Sequence, residues 1–591
     1  MIYLISANRS LFPDNSLYTE LSLEEGLKML ESWDVIQADS ETTGRNPHIC
    51  ELLCFQFGNK KANAQIVVDT TTIPIERFKG ILESKLLIFQ NAKFDLQFLY
   101  KHKIVPTKIY DTMIVEQLLH LGFNPKYFHC SLKAIAERRL GIDIDKTVRG
   151  EIIWRGLDTS VILYAAGDVE YLEDIKASQE IDLQKQGLTV AAKVENLFVP
   201  SIAYLEWCGI KLDVDKWRKK MEEDKAKLEA ASNVLNSYVQ WLYKHDPEQY
   251  KAFAHEDIEG NLFTGYSEEP IVTINWSSPK QVIPFVQSLG FNTLVEDPKT
   301  GTKKDSIEEK NLAMQKGVND DFLKVFFEYQ EASKVCGTYG QSYIDAINPK
   351  TGRIHTTYKQ LGAASGRMSC GGGANQHDED LAKYKKIPAS RVNYVQLQNL
   401  PADEVTRSAF VCERGNLLAA VDFAALESRL GADIYQEKSM IEEYLHGSGD
   451  IHSLTAKACF PEVLANVEVK DIKKLYPNLR KRAKPVEFSQ QFGGSAHAIQ
   501  SSLGCTMEEA KQIAKNYAEH FSGITKFKQI GSQFVRTHGY VLMCKSTGHK
   551  IYWEDFDKWR DIENLSWEEQ HALYSSKDLK EHNKAAAEWD R

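Results

Sequence analysis

Asp39 and Glu41 stand two residues apart in ADSETTG, the end of a strand-like run that opens DVIQAD. Alternation along a strand puts both carboxylates on one face, about 7 Å apart. Asp95 follows in NAKFDLQFL and Asp168 in YAAGDVEYL, both on helical patterns, and Tyr164 precedes Asp168 by one turn on the same helix face. Four acidic groups from separate elements suit a pair of Mg²⁺ or Mn²⁺ ions, hard cations that take oxygen ligands. One ion would activate water and the other stabilise the leaving oxygen of a phosphodiester, with Tyr164 orienting the attacking water. Singly these motifs are weak, because a lone DxE pair is most often a solvated strand end. Their order, with Asn91 four residues before Asp95, makes the set specific.

A second constellation lies in the C-terminal half. The apolar run NLLAAV ends in Asp422, and Glu427 follows five residues later at what reads as a helix start. A strand-end carboxylate of this kind suits a divalent metal, but one carboxylate cannot hold two ions. Further on, LRKRAKPVEFSQQFGGS spaces Arg480, Lys484, Phe488 and Phe492 by four. On a helix each such step drifts by about 40°, so the four form one slowly turning stripe. Two cations followed by two aromatic rings can grip a triphosphate and stack on a base. The surrounding segment Lys470–Lys484 is also the densest basic patch in a chain of net charge −10. That balance argues against a protein that coats nucleic acid, yet it is compatible with acidic metal sites beside local basic grooves.

The elements that must position these groups divide the 591 residues into several domains. Residues 1–190 alternate strand and helix patterns and read as an α/β domain, with ELLCFQFG a second strand and AKFDLQFLYKHK and TSVILYAAGDVEYLEDIKASQ helices. Residues 191–345 are mostly helical and contain two long amphipathic stretches. Residues 346–591 mix strands and helices, and CGGGANQHDEDLAKYKK within them reads as a Gly-rich surface loop. Pro485 inside the basic stripe predicts a kink or a late helix start. No run of 18 apolar residues spans a membrane, and MIYLISANRSLFPDN lacks signal-peptide features. Ten scattered cysteines without a CxxC pair read as free thiols in a reducing compartment, the cytoplasm.

DxE, NxxFD and YxxxD resemble the three motifs of the DEDDy 3′–5′ exonucleases, which include the proofreading domains of DNA polymerases and the ribonuclease D group. That resemblance implies metal ligands at Asp39, Glu41, Asp95 and Asp168 and a water-orienting Tyr164. Asp111 and Thr112, in IYDTMIVEQLL, resemble a short segment between the second and third motifs. TGRIHTTYKQLGAASGRMS, YVQLQNLP, VDFAALESRL, DIHSLTAKACF and RKRAKPVEFSQQFGG, in this order, resemble family A DNA polymerases, the group of bacterial polymerase I and its phage relatives. VDFAALESR is similar to motif A and RKRAKPVEFSQQFGG to motif B. The implied fold is a ribonuclease H-like exonuclease domain followed by an α+β right hand of palm, fingers and thumb, with residues 191–345 thumb-like and 346–591 a partial palm and fingers. The implied cofactors are two Mg²⁺ or Mn²⁺ ions per active site, and the implied partners are primer–template DNA and dNTPs.

Residue by residue, the resemblance gives Asp422 both catalytic metals and places Glu427 under the sugar, where it helps exclude a 2′-hydroxyl. His452, Arg480 and Lys484 would contact the triphosphate, Phe488 would lie by the sugar and base, and Arg367, Gln398 and Asn399 would touch primer–template. Phe492 stands where the family usually has tyrosine. No QGT segment and no His-Asp-Glu motif C, which carries the second polymerase carboxylate in the family, follows motif B. His377-Asp378-Glu379 is such a triplet by letter but reads as a solvated loop, and the acids of YWEDFD are the other internal candidate. EHNKAAAEWDR resembles the helix that leads into QGT. The expectation is that the missing carboxylate belongs to a C-terminal polymerase fragment, split off or removed, and that this chain alone extends primers poorly. A phage origin fits the compact layout. The rival expectations are a stand-alone exonuclease of the ribonuclease D kind and a non-catalytic DNA-binding replication protein.

Overall fold

Strand alternation carries directly into the sheet that holds the first acidic pair. The computed structural model describes residues 1–8, 17–123, 128–145, 148, 151–152, 156–256, 269–296, 302–315, 317–371, 376–388, 391, 395–553, 556–557, 560, 566 and 569. Seven strands, β1 (Ile2–Ile5), β2 (Thr19–Glu20), β3 (Val35–Thr42), β4 (Leu52–Asn59), β5 (Ala64–Asp69), β6 (Leu86–Phe89) and β7 (Ile109–Asp111), lie in the order β2-β1-β5-β4-β3-β6-β7. β3 pairs antiparallel with β4 and parallel with β6, so it sits inside the sheet. β5 is buried at every position because both of its faces are covered. Ile66 and Val68 join a core with Phe55, Phe57, Leu96 and Leu99, whereas Val67 packs with Cys54, Ile162 and Ala165.

The helices that complete this layer are α1 (Ala92–Lys101), α2 (Thr159–Asp168) and α3 (Thr189–Cys208). Asn91 turns the chain from β6 into α1 with φ of 68°, a left-handed conformation that asparagine tolerates better than most residues. The run TSVILYAAGDVEYLEDIKASQ, read as one helix, is two: α2 stops at Asp168 and a second helix spans Leu172–Gln186.

Packing gathers the chain into two compact units, each built from separate stretches of sequence. The first holds Met1–Met221, Tyr339–Leu418 and Tyr540–Glu554. Beside the large sheet it contains a four-stranded sheet of Ile347–Asn348, Arg353–Ile354, Ile210–Leu212 and Phe410–Val411. It also contains the hairpin Tyr540–Leu542/Lys550–Tyr552, as the segment GYVLMCKSTGHKIYW suggests. The Gly-rich stretch expected to be a surface loop instead carries α4 (Gln376–Lys385). The correction has a plain cause: Leu381 and Ala382 find an apolar seat and are 4% and 2% exposed. Residues 372–375 of that stretch, and the side chains of Gln376, His377 and Asp378, lie outside the description, as do Glu554, Asp555 and EHNKAAAEWDR.

The second unit holds Glu222–Thr338, Ala419–Gly539 and Asp555–Arg591. The long amphipathic stretches form helices Val214–His245, of which residues from Glu222 on belong to this unit, and Asp320–Thr338; their inner faces meet an aromatic core of Trp276, Phe285, Phe322 and Phe326. A further helical cluster includes α5 (Leu426–Ile434), α6 (Ile451–Cys459) and α7 (Pro477–Gln491). Pro485 does not delay α7. The helix begins at Pro477, where a missing N–H costs nothing, and continues through Pro485 because Ala483 and Val486 on either side are fully buried. The run NLLAAV, read as a strand ending in Asp422, belongs to no strand, and Leu417, Val421 and Phe423 are 96%, 92% and 73% exposed.

Candidate active sites

The sheet brings the expected carboxylates together. Oxygens of Asp39, Glu41 and Asp168 all lie within 4.8 Å of one another, the one such group of three possible metal ligands among the described residues. Asp39 and Glu41 share a face of β3, and α2 delivers Asp168 from its last turn. Asp95, in the first turn of α1, is buried beside Asp39. Burial, and then repulsion from Asp39, holds the Asp95 carboxyl well above the usual aspartate range. Tyr164 is half-buried one turn before Asp168 on α2. A donor set of only carboxylate oxygens this close together fits hard divalent cations, which would relieve that repulsion.

Two neighbours that motif spacing does not reveal steer these carboxylates. Gln56 Nε2 donates to Asp39 Oδ2 at 2.7 Å from the directly opposite position on β4. Ser40 Oγ donates to Asp95 Oδ1 at 2.6 Å. The first could have been found from strand pairing, since opposite residues in a ladder are neighbours. Asp111 is no metal ligand: its carboxylate accepts from the amides of Asn91, Ala92, Met113 and Ile114, capping the start of its own helix and bracing the turn into α1. Lys93, two residues before Asp95, donates to Glu206 Oε1 and to the carbonyl of Tyr358, both at 2.6 Å. Glu206 is 3% exposed and also accepts from Gln97 at 2.8 Å. Lys93→Met strands a buried carboxylate without its cation and is expected to cost about 3–5 kcal/mol in urea unfolding.

Asp95 yields a second expectation. A carboxyl whose folded-state pKa is raised favours the fold below the unfolded value, and that contribution is lost as pH rises through the folded value. In EDTA, stability should therefore fall as pH climbs through and above the aspartate range. Asp95→Asn should remove that loss and raise the melting temperature by a few degrees, measured by calorimetry at neutral pH.

On the helical cluster of the second unit, part of the set expected to face a nucleotide converges. Arg480 on α7 makes a two-pronged pair with Asp450, both bonds 2.8 Å. His452 on α6 and Phe488 on α7 have ring centroids 6.3 Å apart. His452 Nδ1 bonds the buried Glu487 carboxylate, which also accepts from Ser428 Oγ at 2.6 Å. Lys484 is exposed on α7, Phe488 is 37% exposed, and Phe492 caps the helix at 61% exposure. Glu427 is exposed in the first turn of α5. Asp422 is exposed and belongs to no group of three possible ligands among the described residues. Arg367, Gln398 and Asn399 lie exposed in the first unit, where Gln398 Nε2 donates to the carbonyl of Met368 at 3.1 Å and the Asn399 carbonyl accepts from Tyr339.

Comparison with known proteins covers both sets of residues. The family model for a 3′–5′ exonuclease matches residues 15–181, and that for DNA polymerase family A matches residues 264–573. DNA polymerase I of Borreliella burgdorferi is 25% identical over 545 residues, covering 89% of this chain and 52% of its own length. DNA polymerase I of Aquifex aeolicus is 24% identical over 549 residues, covering 88% and 80% respectively. The DNA polymerase of Mycobacterium phage D29 is 22% identical over 551 residues, covering 86% and 77%. The chain thus spans about half of the first relative and about four fifths of the other two. The POL domain of Pol1 from M. smegmatis, solved in complex with DNA primer-template and dNTP, shares the fold at a TM-score of 0.69 and 18% identity, over 99% of this chain and 85% of that one. The matched polymerase segment alone is just over half of the molecule, so the chain belongs to DNA polymerase family A and carries a 3′–5′ exonuclease domain at its N-terminal end.

Proposed function

We propose that this protein serves DNA replication as a proofreading polymerase: its exonuclease site removes 3′-terminal nucleotides, and its polymerase part binds primer–template and dNTPs. The meeting of Asp39, Glu41 and Asp168 within 4.8 Å carries the reading. These three and Asp95 would hold two Mg²⁺ or Mn²⁺ ions, whose chemistry when bound is Lewis-acid activation of water and stabilisation of a leaving oxygen. Tyr164 would orient the attacking water. In the polymerase part, Asp422 would bind metal and Glu427 would sit against the sugar. His452, Arg480 and Lys484 would hold the triphosphate, Phe488 and Phe492 would face the base, and Arg367, Gln398 and Asn399 would face primer–template. Arg480 is paired with Asp450, so a phosphate would have to share the guanidinium with that carboxylate, which also accepts from Ser453 Oγ at 2.8 Å.

The two-metal reading of the polymerase part requires a second carboxylate beside Asp422. We infer that it comes from a C-terminal polymerase segment carrying motif C, and the exposed apolar run around Asp422 supports a surface waiting for that segment. Ten free cysteines support a reducing cytoplasm, and no described helix is long and apolar enough to cross a membrane. The similarity to a phage polymerase supports a phage origin. The test is digestion of a 5′-labelled oligonucleotide by the purified chain. Mg²⁺-dependent shortening from the 3′ end, abolished by EDTA, is the expected result, and a stable oligonucleotide would refute the exonuclease half.

A further inference from the structure

Between Arg367 and Gln398, the two ends of the segment assigned to primer–template, the chain carries α4, and α4 reaches the exonuclease strand. Asp380 Oδ2 accepts backbone N–H groups from Arg45 at 2.5 Å and Asn46 at 2.9 Å, in the loop that leaves β3. The Cys50 thiol lies 3.8 Å from the same oxygen. Gly44 passes so close that a Cβ there would meet Cys50 Sγ at 2.6 Å and the Asp380 oxygens at 3.1 and 3.2 Å. Leu381 and Ala382 pack against Ile49, which closes the same loop from the apolar side. The far end of α4 is fixed as well: Lys385 Nζ donates to the Asp345 carbonyl at 2.5 Å, and Arg391 pairs with the Asp345 carboxylate at 2.9 Å. On the other flank, His48 stacks on Trp207 with centroids 4.2 Å apart and meets the tilted ring of His355 at 4.1 Å.

This loop begins where the β3–β4 register shifts, between Glu41 and Thr42. A bulge at the end of a strand aims the side chains before it, and whatever holds the bulge holds their direction. Asp380 satisfies two amides in that irregular stretch with one charged acceptor, the strongest kind of hydrogen bond available to a loop.

We propose that α4 is a strut that fixes the end of β3, with Asp380 a positioning residue for the exonuclease carboxylates Asp39 and Glu41. The inference rests on the exonuclease reading of those two residues. It makes the exonuclease geometry depend on a segment spliced into the primer–template region, so that the two regions of the first unit are mechanically joined. Gly44 is the complementary half of the contact, since only glycine lets the loop lie against the carboxylate.

The experiment uses the full chain carrying Asp380→Ala or Asp380→Asn. Two quantities are read: amide hydrogen exchange across residues 43–50, and steady-state digestion of a single-stranded oligonucleotide over a Mg²⁺ titration. For Asp380→Ala, exchange should quicken about tenfold at 43–50 and stay unchanged in β4, β5 and β6. kcat should fall about 10–100-fold, the scale seen when groups that orient metal ligands are removed. The half-saturating Mg²⁺ concentration should rise while KM for DNA stays within about twofold of the parent. Asparagine keeps a carbonyl acceptor and should recover most of each loss. Unchanged exchange at 43–50, or kcat and Mg²⁺ requirement both within twofold of the parent, would overturn the strut. So would quickened exchange across the whole sheet in both variants, which marks a folding role. Glu41→Ala is run alongside: digestion surviving in it discards the exonuclease assignment itself, whereas parental behaviour confined to the Asp380 variants discards only the strut.

Discussion

Alanine at both Asp39 and Glu41 is expected to slow removal of 3′-terminal nucleotides by at least about 10³-fold, the order lost when transition-state charge stabilisation is removed. Affinity for single-stranded DNA should change little, because these acidic groups offer no attraction to the phosphate backbone. The size of the effect follows from geometry. Three carboxylates whose oxygens lie within 4.8 Å of one another, with Asp95 buried beside them, repel one another, and a bound cation would neutralise them. Removing two of the group removes the site, not one ligand of it. The same substitution relieves repulsion, so the variant should melt at a higher temperature than the parent in EDTA and should lose the parent's Mg²⁺-dependent stabilisation. Calorimetry with and without Mg²⁺ reads that second effect independently of any activity. Full digestion by the double variant would remove the assignment.

How far the sequence could be read depends on the range of the interactions involved. The pair Asp39 and Glu41 is legible because strand alternation is local, and Tyr164 with Asp168 because one helical turn is local. Asn91 is legible as part of a motif, and its physical role is to make a left-handed turn that points α1 at β3. What escaped local reading is long-range. Gln56 reaches Asp39 only through strand pairing, and Asp380 reaches Arg45 across 335 positions of sequence. Glu487 sits inside motif B like any solvated helix acid, yet it is 1% exposed because His452 and Ser428 converge on it. α4 was hidden by composition: the glycines before it and its own acids mask two apolar residues, Leu381 and Ala382, whose seat on Ile49 lies more than 300 positions back in the sequence. The break between Asp168 and Leu172 has no proline or glycine to announce it, since Val169, Glu170 and Tyr171 are all compatible with a helix.

On the proposed reading, the chain by itself is expected to extend a primer at less than about one thousandth of the rate reached once a motif C segment is supplied, because a two-metal site held by one carboxylate would lose most of its charge stabilisation. The surroundings of Asp422 give the physical grounds. Leu417, Val421 and Phe423 are 96%, 92% and 73% exposed. Burying side chains of this size is worth about 1.5–3 kcal/mol each, so the segment favours any strand able to cover it. Ala425, just beyond, holds φ of 51°, a conformation that costs a residue with a Cβ about 1–2 kcal/mol. A partner that pairs with 416–423 would convert the run into the strand that its apolar pattern describes and bring an acidic turn beside Asp422. Mixing the chain with a separately expressed family A C-terminal segment should therefore restore primer extension and protect the amides of 416–423 from exchange. Asp422→Ala should abolish the restored extension and leave the protection intact, since in this reading the aspartate would supply chemistry and the apolar run docking. Extension at full rate by the unmixed chain would show that the second carboxylate lies within it, and restored extension without protection at 416–423 would place the docking surface elsewhere.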